Sequence, residues 1–123
     1  MFAATIIQGG TSAGQATAIV GGEGSVTPAG STYADATALT GKLGLNYAAS
    51  VTSGTGVTLQ AGAPGDFVAI ANHDASNALL VYPPSGAAIN RLTATTQGFS
   101  VTANKTAIFF CISATQWTGG FLT

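Results

Sequence analysis

Residues 66–117 constrain this chain most. They hold four or five β-like runs separated by turn signals, with almost no ionisable side chain among them. Phe67, Ala69 and Ala71 alternate with Val68 and Ile70, so both faces of that run are apolar and the strand is expected to be central or interfacial. Leu79 and Val81 oppose Leu80 and Tyr82 in the next run, and Pro83-Pro84-Ser85-Gly86 stops it. Phe99, Val101 and Ala103 alternate with Ser100, Thr102 and Asn104. In the last long run Ile108, Phe110 and Ile112 make one face, while Ala107, Phe109 and Cys111 make the other. The polar stretch Asn72-His73-Asp74-Ala75-Ser76-Asn77 reads as the turn of a hairpin.

Charge is the second constraint. Only 6% of the 123 residues are charged and the net charge is −1, against roughly 25% charged residues in an ordinary soluble domain. That leaves no electrostatic footprint for nucleic acid or for an anionic membrane. It implies a surface largely covered by other subunits, or one selected for neutrality. The 46% hydrophobic content includes 23 Ala, and 17 Gly and 18 Thr accompany them. Thr fits the pleat of a strand, and Gly supplies the positive φ that tight turns need. No apolar run approaches the ~20 residues that span a bilayer. Met1 to Ile7 lacks the basic and long apolar regions of a secretory leader, and none is expected.

About eight short strands at turn-separated spacing predict an all-β fold, a β-sandwich or jelly-roll-like domain over residues 31–123. Leu43, Leu45, Tyr47, Ala49 and Val51 share one face of an upstream run. Residues 32–40 fit a strand better than a short helix capped by Thr32 with Asp35 at its third position. Residues 1–30 are Gly-punctuated and weakly periodic, which predicts an extended N-terminal arm used for attachment; edge strands of the same domain are the other reading. Phe2, Ile6, Ile7, Ile19 and Val20 are its apolar anchors. With Arg91 at a loop tip and Phe121 and Leu122 in a short apolar tail, they form the candidate attachment or subunit interface.

Chemistry is hard to assemble from this chain. His73 is the single histidine, and its Asn and Asp neighbours are turn-formers. Cys111 is alone within an apolar run, which suits a small buried hydrophobe better than a reactive thiolate. No Gly-x-Ser-x-Gly elbow occurs. Gly9 to Gly14 has phosphate-loop spacing, but Gln15 stands where Lys is required. The expectation is a non-enzyme with no metal and no cofactor. Tyr33, Tyr47, Tyr82 and Trp117 could offer stacking faces to a glycan, or serve as core and interface residues.

The segment Val81-Tyr82-Pro83-Pro84-Ser85-Gly86 with Ile89-Asn90 resembles a pattern in small structural proteins of tailed bacteriophages. The resemblance runs on through Phe99 to Ala107 and Ser113 to Trp117. Upstream it takes in Thr55-Gly56-Val57-Thr58-Leu59 and Ala29-Gly30-Ser31-Thr32, covering roughly residues 29–117. Arg91 departs from it, standing where a small turn residue follows Ile-Asn. The resemblance implies a head decoration (cement) protein on the outer capsid surface of the virion, a homotrimer whose partner is the major capsid protein. Its alternative is a trimeric fibre or spike module that binds a host receptor or glycan.

Overall fold

The computed structural model describes residues 24–39 and 44–122. Among them the chain is all-β, with ten strands and no helix. In order these are β1 (Gly24–Ser25), β2 (Thr37–Ala38), β3 (Leu45–Ala48), β4 (Gly56–Thr58), β5 (Phe67–Asn72), β6 (Leu79–Tyr82), β7 (Ala88–Ile89), β8 (Phe99–Val101), β9 (Thr106–Ser113) and β10 (Gln116–Phe121). Two mixed sheets result. One has six strands in the order β1-β3-β5-β9-β10-β7, and the other has four in the order β2-β4-β6-β8.

From β1 to β6 each successive strand changes sheet, and strands two apart pair in parallel. Gly24 lies opposite Asn46 and Asn46 opposite Ile70, steps of 22 and 24 residues. In the other sheet Thr37 lies opposite Val57 and Val57 opposite Val81, steps of 20 and 24. The first half of the domain is therefore a two-sided coil, each circuit laid on the last. Staggered bonds of a parallel ladder join the circuits, as in Leu39 N–H to Thr58 O and Leu59 N–H to Tyr82 O, both 2.9 Å. β9 then docks antiparallel on β5 and β8 antiparallel on β6. The β9–β10 hairpin extends the larger sheet, and β7 closes its edge in parallel with β10.

This winding corrects the hairpin expected at residues 72–77. β5 and β6 do not pair; the segment carries the chain from one sheet to the other. Its polar residues knot three segments together instead. Asn72, fully buried, donates to Asn77 O at 2.9 Å and to Val101 O at 3.0 Å, and accepts from the Asp74 N–H at 3.0 Å. The Asp74 carboxylate accepts the N–H groups of Val51, Ser76 and Asn77 at 2.7–2.9 Å. Asn77 closes the knot by donating to Val51 O at 2.7 Å. Buried backbone groups at a crossover need partners, and side chains supply them here. Among the described residues no buried side-chain nitrogen or oxygen lacks a partner.

One buried cluster draws on both sheets, with Val57, Leu79, Val81 and Val101 from one and Ile70, Ala107, Phe109 and Trp117 from the other. Phe99 meets Phe109 edge-on at 5.3 Å between centroids. Gly119 lies against the Phe109 ring so closely that a Cβ would collide with it, so close packing fixes this glycine.

Several local expectations change. In β3 the apolar Leu45 and Tyr47 point outward while Asn46 and Ala48 are buried. Asn46 donates to Ala69 O at 3.3 Å, which accommodates an amide in the core. Asp35 does reach back to the Thr32 N–H at 2.8 Å, the bond of a helix cap, yet the turn ends there and a two-residue strand follows. The sheet begins at Gly24, within the stretch read as the arm. The apolar tail is continuous with β10: Phe121 pairs with Ala107, and Leu122 N–H bonds Thr106 O at 2.8 Å.

The knot makes two predictions. Asn72→Leu should cost on the order of 2–5 kcal/mol in urea unfolding, because it leaves several backbone groups unpaired at once. Three N–H donors, those of Val51, Asn77 and Ser76, hold the Asp74 carboxyl below the ordinary Asp value. Its contribution is therefore complete above that value and is lost as pH falls through the lower folded one. Thermal stability should drop below about pH 4, and Asp74→Asn should flatten that drop. Asp35, also lowered, through its bonds to Thr32, should leave a residual slope. Identical acid profiles for the two proteins would contradict this role of Asp74.

Candidate functional site

The outward face of the six-stranded sheet is the most distinctive surface. Its side chains follow from strand alternation: Val68, Ile70, Phe109 and Cys111 are buried inward, so Phe67, Ile108, Phe110 and Ile112 stand on the other side. Cross-strand registers arrange them in rows. One row runs Leu45, Ala69, Ile108, Gly120; the next runs Phe67, Phe110, Thr118. Leu45 is 41% exposed, Phe67 37%, Phe110 43% and Ile112 54%. The two phenylalanine rings lie 6.2 Å apart. At the edge of the face Tyr47 meets His73 edge-on at 4.6 Å. None of the side chains in these two rows is ionisable.

The four-stranded sheet treats its outward face differently. Tyr82 lies there, on the opposite side from Leu79 and Val81, but is buried. Its ring rests against Gly56 and Gly98, and its hydroxyl donates to Ser31 O at 3.0 Å. Burial, and secondarily the Asp35 charge, pushes this phenol above its ordinary value. That sheet covers its aromatic with its own chain; the larger sheet leaves two phenylalanines half bare.

The residues expected to form an interface fall in three places. Phe2, Ile6, Ile7, Ile19 and Val20 lie outside the described residues. Arg91 is exposed in the turn after β7. Asn90, at φ 55°, anchors that turn by donating to Gly119 O at 3.1 Å and accepting from the Gly119 N–H at 3.0 Å. Phe121 and Leu122 are exposed at the end of β10. The Phe121 ring lies 5.5 Å from Phe99, at the margin of the core and away from the apolar rows. Leu45, Phe67, Phe110 and Ile112 lie outside the expected interface residues, although the two apolar faces of β5 and β9 already signal Phe67, Phe110 and Ile112.

Of the four aromatic residues considered for a glycan, Trp117 and Tyr82 are core residues and Tyr47 packs on His73. Tyr33 alone borders an open groove of about 500 Å³, with Gln60, Thr58 and Ser85. Among the described residues no three His, Cys, Asp or Glu side chains gather where they could hold a metal. Cys111 is buried and donates to Ser113 O at 3.2 Å; burial first, then the Asp66 charge, pushes its thiol up. Comparison with protein-family models, with curated proteins and with solved structures finds no match.

The Cys111 environment predicts slow chemistry. A disulfide reagent at neutral pH should label it far more slowly than a free thiol, with full labelling only on denaturation. Rapid labelling of the folded protein would place the thiol at the surface.

Proposed function

We propose that the chain is a capsid decoration (cement) protein of a tailed bacteriophage, acting as a homotrimer on the outer surface of the head. One observation carries the reading: a nearly uncharged β domain leaves an apolar sheet face half bare, which suits assembly more than chemistry. The resemblance of residues 29–117 to small structural proteins of tailed bacteriophages lends support; it takes in β4 and runs from β6 to the start of β10. In this reading the two sheets form a sandwich, and the N-terminal arm, residues 1–30, contributes capsid contacts.

The mechanism is mechanical. A trimer seated where capsomers meet touches several at once, and each later contact is effectively intramolecular. Binding that favours the assembled, expanded shell then stabilises it by mass action. Neutral contacts make the attachment insensitive to salt. The fibre reading has one observation in its favour, the groove beside Tyr33 and Gln60, and lacks the Trp117 and Tyr82 stacking faces it wanted.

Purified protein should scatter light as three times its 12.0 kDa chain mass. It should co-sediment with expanded heads of its cognate capsid protein, not with procapsids, at low and at high salt. A monomer, or a protein that ignores both particles, would overturn the proposal; retention by a glycan array would favour the fibre.

A further inference from the structure

We infer that the outward face of the six-stranded sheet, centred on Phe67 and Phe110, is where copies of this chain meet. The inference rests on the reading above that the protein works as an oligomer, and it names the surface that reading leaves open. Three features of the face point to a second copy as its occupant.

The first is the strand arrangement. β1, β3 and β5 are parallel, and parallel strands are ordinarily covered on both faces. Here the inward face is buried by the core, while Leu45 and Phe67 remain uncovered on the outward one. The same chain covers the outward aromatic of its other sheet with Gly56, Gly98 and the Ser31 carbonyl. The bare face is thus local to the larger sheet.

Charge supplies the second. A partner of different sequence is usually selected by complementary potentials. The rows of this face carry no charge to complement. An uncharged surface meets its own copy without like-charge repulsion, which is the requirement for self-association.

Relief is the third. The Phe67–Phe110 row stands as a ridge. Beside it the row Leu45, Ala69, Ile108, Gly120 alternates large and small side chains, with hollows at Ala69 and Gly120. Ala69 points outward yet is buried, and a Cβ on Gly120 would meet nothing within 4 Å. In a trimer these faces turn toward the three-fold axis, where the ridge of each copy meets the hollows of the next. Six strands about 4.8 Å apart, with six residues at about 3.3 Å each in the longer ones, give a footprint on the order of 500 Å². That suits the apolar centre of an interface of about 800 Å² per partner.

Two variants test it in the full chain. Phe110→Glu places a charge on the ridge. Gly120→Arg places one over open space, so it leaves the fold intact even if the first does not. Each should raise the subunit dissociation constant about 100-fold or more, as an unpaired buried charge does. The light-scattering mass should fall to that of one chain, with circular dichroism unchanged. If wild type is an oligomer and both folded variants keep its mass, this face is not the subunit contact, while the decoration reading stands. If wild type is a monomer that decorates heads and Phe110→Glu abolishes decoration, the capsid is the occupant and the second copy is overturned. A monomer that binds no capsid overturns both proposals.

Discussion

Two parallel strands cannot be joined by a tight turn, because the chain must travel back before it can run the same way again. The rest of this architecture depends on that constraint. Most proteins make the return with a helix, but this sequence, rich in Thr, Gly and Ala, makes it with a strand of a second sheet. Each circuit from β1 to β6 therefore contributes to both sheets, and both sheets feed one buried cluster. The crossovers must satisfy their backbone groups in partial burial, and the Asn72–Asp74–Asn77 knot does so between β5 and β6. β9 and β8 pair antiparallel with β5 and β6, the last strands of the coil, and β10 pairs with β9.

Strand faces were legible in the sequence wherever alternation was clean. Phe109 and Cys111 went inward and Phe110 and Ile112 outward, as the period of two requires. β5, apolar on both sides, is central in its sheet. Pairing partners were not legible. A polar six-residue turn between two apolar runs serves a hairpin or a crossover equally well by local chemistry, and its long-range bonds to Val51 and Val101 tell them apart. The circuit length was hidden for a related reason. Steps of 20, 22 and 24 residues vary, and equivalent positions hold unlike residues, such as Asn46 over Ile70 and Ala48 over Asn72. Asn46 also inverted the expected face of β3, since a buried amide with a carbonyl partner looks in sequence like a surface residue.

The candidate site was half visible for the same reason. Composition pointed to an assembly surface, and the doubly apolar strands pointed to where one could lie. What sequence could not supply was which apolar face the fold itself would cover. Phe109 and Trp117 vanish into the core, and Tyr82 is covered by turns far from it in sequence. Phe67 and Phe110 receive no such cover. Neutrality and the bare face are the two features on which the proposed assembly role rests.

The wound pairing of β1 to β6 is the claim on which these arguments stand, and backbone nuclear Overhauser effects test it most directly. The structure predicts contacts between the backbones of Asn46 and Ile70 and of Val57 and Val81, in parallel register. Antiparallel contacts pairing residues 67–72 with residues 79–82 across the Asn72–Asn77 turn would contradict it, and would replace the coil with a succession of hairpins.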